Sequence, residues 1–235
     1  MTAGATEEKP SSGAAGVRRM IIAVDGPSGS GKSSVCRAAA RRLGAAYLDT
    51  GAMYRAATWY CLDRHVSLHD EDAVALAVEE LPLAISTDPD HQTITVGQTD
   101  VTQEIREARI SENVSAVSTN RQARALLVAA QRRIIDTTRF VVAEGRDITT
   151  VVAPDAQVRV LLTASAEVRL ARRGLQMGGS QTSDALRRQV LTRDARDSLA
   201  VNFTEAADGV AVLDSSDLTF DDTVEALVSR VESLR

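Results

Sequence analysis

Gly26-Pro27-Ser28-Gly29-Ser30-Gly31-Lys32-Ser33 fits the pattern G-x-x-x-x-G-K-[ST] at every position, and Ser34 follows directly. This spacing suits phosphate chemistry. The glycines let successive backbone N–H groups converge on one phosphate without Cβ clashes. A helix opening at the end of the loop adds partial positive charge. Lys32 reaches the β/γ-phosphates, and the Ser33 hydroxyl can bind Mg²⁺. A glycine-rich turn that only joins a strand to a helix is the plainer alternative. Against it stand the eight matching positions and a predicted strand and helix on the two flanks. Lys32 adds weight: of the 27 basic residues only Lys9 and Lys32 are lysines, and Lys9 lies in the N-terminal stretch.

The loop fixes nucleoside triphosphate binding but not the reaction. A guanine-reading N-K-x-D is absent from the sequence. An apolar strand ending in an acid, as in chemo-mechanical ATPases, has its nearest candidate in Phe140-Val141-Val142-Ala143-Glu144. The second substrate must therefore be read from other residues. Asp49-Thr50-Gly51-Ala52-Met53-Tyr54-Arg55 and Glu144-Gly145-Arg146-Asp147 each leave the C-terminal end of a predicted strand. In an open α/β sheet that edge binds the ligand. Arg55 and Arg146 thus fall where a second phosphate would sit. Arg169, Arg172 and Arg173 share one predicted helix, at i, i+3 and i+4. Arg193, Arg196 and Asp197 follow a Gly-rich stretch at 174–183. The planar guanidinium fork grips phosphate oxygens and stays charged. Phosphoryl transfer between two anions needs such spread positive charge and exclusion of water. An isolated arginine is as readily a solvated surface residue.

Short apolar runs must hold these segments in place. Met20-Ile21-Ile22-Ala23-Val24 reads as a buried strand ending at the breaker Asp25-Gly26-Pro27. A helix over 32–43 ends at Gly44, and Ala46-Tyr47-Leu48-Asp49 is a second strand. Thr50 is expected to cap a helix through roughly Arg64. Strands follow at 140–143, 158–162 and 210–213, with helices at 165–175 and 220–234. Five short strands separated by helices predict a parallel sheet covered on both faces, a three-layer α/β/α core. Residues 66–112 break the rhythm. An acidic helix near 70–81 precedes runs at 83–87 and 93–96 with turns at Asp88-Pro89-Asp90 and Gly97, which predicts a small antiparallel sheet inserted in the core.

Composition excludes several classes. The 235 residues carry a net charge of −5 and few aromatics, which argues against a nucleic-acid binder. Cys36 and Cys61 make no disulfide framework. No run approaches the ~20 apolar residues of a membrane span, and the N-terminus has no signal-peptide core. A cytoplasmic monomer with no membrane or nucleic-acid partner is expected. Residues 1–17 read as a disordered tail.

On these residues the sequence resembles the bacterial cytidylate kinases, a family of nucleoside monophosphate kinases. The phosphate loop, Asp49–Arg55, Gln103-Glu104-Ile105-Arg106, Glu144-Gly145-Arg146-Asp147 with Thr150-Val151-Val152, Arg193–Ser198 and the insert all match. The match runs over nearly the whole chain after residue 18. The resemblance implies a P-loop NTPase fold: a core over 18–65 and 113–235, a helical lid at about 169–197, and 66–112 as an insert of the monophosphate-binding domain. It implies transfer of the ATP γ-phosphoryl group to CMP or dCMP, giving ADP and CDP or dCDP, with Mg²⁺. Residues Gly26–Ser34 would bind ATP. Thr50 would line the CMP site, where Arg55 and Arg146 hold the acceptor phosphate. Ser115, Arg124 and Asp147 would read cytosine, and Arg193 and Asp197 the sugar hydroxyls. Arg172 or Arg173 would be the lid arginine on the transferring phosphate. An Asp accepting from an exocyclic amine favours cytosine over uracil. The sequence departs from the family pattern at Ala200, where an Arg is usual, and at Thr149, where Gly is usual. An Arg lost at position 200 removes one charge-assisted contact, roughly 1.5–3 kcal/mol.

Overall fold

The computed structural model describes residues 19–176 and 204–234. The described residues form eight strands, most of them from the apolar runs. Five build a parallel sheet: β1 (Met20–Asp25), β2 (Ala46–Asp49), β6 (Phe140–Gly145), β7 (Val158–Thr163) and β8 (Ala211–Asp214). Their order is β2-β6-β1-β7-β8. Strand β1 is central because both its faces are buried. Ile22 and Val24 join Val142, Val160 and Leu162 on one face, while Ile21 and Ala23 join Val141 and Ala143 on the other. Continuous rather than alternating hydrophobicity is what a doubly covered parallel strand requires.

Each parallel pair needs a crossover, and helices supply it. Helix α1 (Lys32–Leu43) and the last helix, α7 (Phe220–Glu232), cover the Ile22 face. Helices α2 (Thr50–Asp63), α3 (Glu71–Glu79), α4 (Ala108–Ser118) and α5 (Arg121–Thr137) cover the other. Helix α6 (Ala166–Gln176) follows β7. Gly44 ends α1 in the left-handed region at φ 64°, its N–H reaching the carbonyls of Ala40 and Arg41.

Strands β3 (Leu83–Ile85), β4 (Ile94–Val96) and β5 (Thr99–Asp100) form the expected small antiparallel sheet. It has no core of its own. Ile94, Val96 and Val101 belong to the same apolar cluster as Met53 and Val141 of the main domain. The Tyr47 N–H bonds the Thr87 carbonyl, so the segment after β3 lies against the β2 edge.

Several boundaries differ from the sequence reading. Asp49, not Thr50, caps α2: its carboxylate accepts the Ala52 N–H at 2.8 Å. The Thr50 hydroxyl is committed elsewhere, to the Glu144 carbonyl at 2.8 Å. The strand within 83–87 ends at Ile85, although the Ser86 N–H still bonds the Thr93 carbonyl, and the acidic helix spans 71–79. Strand β6 runs two residues past Ala143, carrying Glu144 and Gly145 to the sheet's end. The tail at 1–17, most of the Gly-rich stretch and lid, and Arg193, Arg196, Asp197 and Ala200 lie outside the described residues. No described helix is long and apolar enough to cross a membrane.

Candidate active site

The phosphate loop joins the carboxyl end of β1 to the start of α1. At Gly26, φ is 157° and a Cβ would stand 2.1 Å from the Leu162 carbonyl oxygen, so the loop can leave β1 beside β7 only as glycine. Gly31 caps α1 at φ 87° with no side-chain bond to the helix's first N–H groups. Gly31 through Ser34 line the cleft, which sets the helix's first turn where an anion can bind. The Ser30 hydroxyl is buried there with no hydrogen-bond partner among the described residues. Helix α6 braces the loop: Arg169 Nη1 donates to the Ser28 carbonyl at 3.0 Å, and Arg172 Nη1 to the Ser30 carbonyl at 3.1 Å.

A cleft of about 450 Å³ opens from this loop, within the usual range for small-molecule sites. Pro27 through Ser34 line one end. Asp49, Thr50, Gly51, Tyr54 and Arg55 from β2 and α2, Ser111, Val114 and Ser118 from α4, Arg124 from α5, and Glu144 through Asp147 line the other. Seven cationic side chains (Lys32, Arg37, Arg55, Arg106, Arg124, Arg146, Arg173) meet three carboxylates (Asp49, Glu144, Asp147). An acidic chain thus builds a locally cationic crevice.

Several of these charges are held by partners the fold supplies. Lys32 Nζ lies 2.9 Å from Glu144 Oε2, with side-chain exposures of 13% and 2%. The buried Tyr47 hydroxyl donates to Glu144 Oε1 at 2.9 Å. Burial and then the Glu144 charge push the Tyr47 hydroxyl well above its ordinary pKa, so it stays a donor. Arg55 Nη2 reaches Asp49 Oδ2 at 3.1 Å. Burial pushes the Asp49 carboxyl up, but Arg55, the Ala52 N–H and the Arg106 and Lys32 charges more than offset this and hold it below its ordinary value. The Arg55 Nε is buried without a hydrogen-bond partner among the described residues. Arg124 Nη2 pairs with Asp147 Oδ2 at 2.5 Å while its Nη1 donates to the Ser118 carbonyl. Arg124 also stands over the Tyr54 ring, 6.0 Å from its centroid. Gly145 has to be glycine because a Cβ would lie 2.5 Å from Thr50 Oγ1 and 2.7 Å from Ile148 Cδ1.

Of the residues singled out in sequence, the structure brings the phosphate loop, Thr50, Arg55, Arg124, Arg146, Asp147 and Arg173 into one cleft. It separates the two lid candidates. Arg172 turns away, with Nη1 on the Ser30 carbonyl and Ser215 Oγ and Nη2 on the Ser215 carbonyl. Arg173 faces the cleft; burial and then the nearby Arg55 charge push its guanidinium below its ordinary value. Ser115 is half-buried but is not among the cleft-lining residues, whereas Ser111 and Ser118 of the same helix are. Sequence reasoning missed Glu144 as the partner of Lys32, because a strand-ending acid is a weak signal until the register sets β6 beside β1. It also missed Arg106 and Ser111 as lining residues. The signal for Arg106 was the match of Gln103–Arg106 in a segment read mainly as an insert; nothing in the sequence marked Ser111.

A family model described as Cytidylate kinase matches residues 22–233. The cytidylate kinase of Nocardia farcinica is 49% identical over 216 residues, covering 90% of this chain and 93% of that protein. That of Rhodococcus opacus is 48% identical over 213 residues, covering 89% and 93%. A crystal structure of an uncharacterized protein from Eubacterium ventriosum aligns with a TM-score of 0.51 at 11% identity, over 92% of this chain and 99% of that one. That likeness concerns the fold alone.

Proposed function

The chain belongs to the cytidylate kinase family, and from that premise we propose how its residues divide the work. The reaction is transfer of the ATP γ-phosphoryl group to CMP or dCMP, yielding CDP or dCDP and ADP. In our reading, Gly26 through Ser34 cradle the ATP phosphates and Lys32 leaves Glu144 to meet the transferring group. Arg55, Arg146 and Arg173 hold the acceptor phosphate and spread the charge that develops in transfer. Arg124 and Asp147 read the base. The fixed Arg124 leaves an Asp147 oxygen to accept from the exocyclic amine of cytosine, which uracil lacks. Ser115, Arg193 and Asp197 remain candidates for base and sugar contacts.

The observation that carries this reading is the unpartnered Arg55 Nε beside the Arg173 guanidinium. Arg55 keeps Asp49 as a counter-charge at 3.1 Å, and its buried Nε beside the Arg173 charge suits one further anion, of which a monophosphate has the charge and size. Ser33 is exposed at the cleft, and its hydroxyl suits a hard cation. The described residues include no cluster of three acidic, His or Cys side chains that could hold a metal. Mg²⁺ would be held by the ATP phosphates with Ser33 as a protein ligand, and would neutralise phosphate charge. We take 66–112 as an insert on the acceptor side of the core, since its Arg106 and Ser111 join the lining.

The test is ADP formation from ATP and Mg²⁺ with CMP, dCMP, UMP, AMP and GMP in turn. CMP and dCMP should be used best. Equal rates with AMP and CMP would sink the cytosine assignment, and no acceptor-dependent ADP would leave only an ATP-binding module.

A further inference from the structure

Asp25 and Thr149 take no part in the contacts described so far, yet both are buried, at 3% exposure each. Asp25 is the last residue of β1 and precedes the phosphate loop. In the parallel register it stands beside Gly145, so the chain leaving β6 curls over its carboxylate. That chain makes a single π-helical turn, Ile148–Val152, directly after Arg146 and Asp147. Asp25 Oδ1 accepts the Ile148 N–H at 2.7 Å, and Oδ2 accepts the Thr149 N–H at 2.9 Å and the Thr149 hydroxyl at 2.5 Å. The far end of the turn is fixed separately: Arg132 of α5 donates to the Val151 and Val152 carbonyls. π-Turns of this kind are uncommon and concentrate at functional sites.

We propose that Asp25 and Thr149 form a positioning clamp that sets the spacing between the phosphate loop and the acceptor-holding residues Arg146 and Asp147. One carboxylate lies one bond from the ATP loop on its backbone side and one turn from the acceptor residues on its side-chain side. The clamp acts through alignment, not through substrate contact: in-line transfer loses rate steeply when donor and acceptor are displaced by ~1 Å. Thr149 contributes because a buried carboxylate needs its lone pairs filled, and burial pushes Asp25 above its ordinary pKa despite the three donors.

The inference rests on the reading that Arg146 and Asp147 hold the acceptor. Thr149→Val keeps the side-chain shape and removes only the hydroxyl donor; Thr149→Ser keeps the donor. With ATP and CMP both saturating, Thr149→Val should lower kcat by about tenfold to a hundredfold, the size of one charge-assisted hydrogen bond. The affinities for ATP and for CMP, each titrated alone by calorimetry, should change less than about threefold, since neither site loses a contact. Thr149→Ser should recover most of kcat, which a mere packing role would not require. An unchanged kcat in Thr149→Val overturns the clamp. So does loss of both affinities in parallel with kcat, or failure of the serine to rescue. Should Thr149→Val not fold, Asp25→Asn serves, because its amide meets an N–H donor on one side; the same pattern of kcat and affinities is required. Asp147→Ala separates the two claims: unchanged CMP affinity there defeats the acceptor reading, whereas a loss there with normal Thr149→Val turnover defeats the clamp alone.

Discussion

Replacing Lys32 by alanine should damage two properties for two reasons, and a second substitution should separate them. Lys32 is the counter-charge of Glu144, whose side chain is 2% exposed. Lys32→Ala leaves that carboxylate with the Tyr47 hydroxyl alone. Removing one partner of a buried pair costs about 3–5 kcal/mol. Lys32 keeps 13% exposure, which lets water reach the pair and favours the low end, about 3 kcal/mol. At about 2–4 °C per kcal/mol for a chain of this size, Tm should fall by about 6–12 °C. Adding Glu144→Gln removes the orphaned charge while keeping an oxygen to accept from Tyr47. The double variant should therefore regain at least half of the lost Tm. Phosphoryl transfer should stay nearly abolished in both, because the loop has lost its ammonium. Thermal unfolding followed by circular dichroism, alongside the ADP assay, reads both. An unchanged Tm for Lys32→Ala, or a double variant no more stable than the single, refutes the reasoning.

Asp147→Ala should reduce the CMP-over-UMP ratio of kcat/KM by about tenfold to a hundredfold while leaving ATP affinity nearly intact; an unchanged ratio contradicts its role at the base. Asp49→Asn should keep the α2 cap, since Asn caps as well as Asp, but lose the charge facing Arg55. The Asp49 pKa is lowered in the fold, so its stabilising charge is fully present above its ordinary value of 3.8 and is lost as pH falls further. The difference in urea midpoint between wild type and Asp49→Asn should thus be constant from pH 7 to 5 and shrink below 3.8. A gap that widens on acidification would refute the assignment. Burial pushes the Cys36 thiol well above its ordinary pKa and the Cys61 thiol up to about 11. Neither should react with a thiol reagent at pH 8 in the native protein, and both should react in denaturant; rapid native labelling would show that the core under the phosphate loop opens.

The parallel core was legible because its signals are local. The run from Met20 to Val24 is apolar without alternation, which suits only a strand buried on both faces, and Ile21 and Ile22 do point into opposite clusters. The loop motif was legible for the same reason: each glycine answers a backbone need within a few residues. What stayed hidden depends on register and on helix rotation. Glu144 became the partner of Lys32 only when β6 paired with β1. Arg172 and Arg173 are neighbours with identical chemistry, and a 100° turn of helix sends one to Ser215 and the other to the cleft. Thr50 looked like a cap by residue type, but Asp49 reaches the Ala52 N–H and leaves the threonine to tie α2 to β6. The insert's sheet was visible from its turns. That its apolar side chains complete the main core was not, since no short-range pattern records which cluster a strand joins.

On the proposed reading one cleft holds donor and acceptor together and passes the terminal phosphoryl group of ATP to the phosphate of CMP. Incubation with Mg²⁺, CMP and ATP labelled at the γ-phosphorus tests it directly. The label is predicted to appear in the β-phosphate of CDP, only when CMP is present, and to be lost in Arg55→Ala. Label recovered solely as inorganic phosphate, or transferred equally well to AMP, would contradict the account.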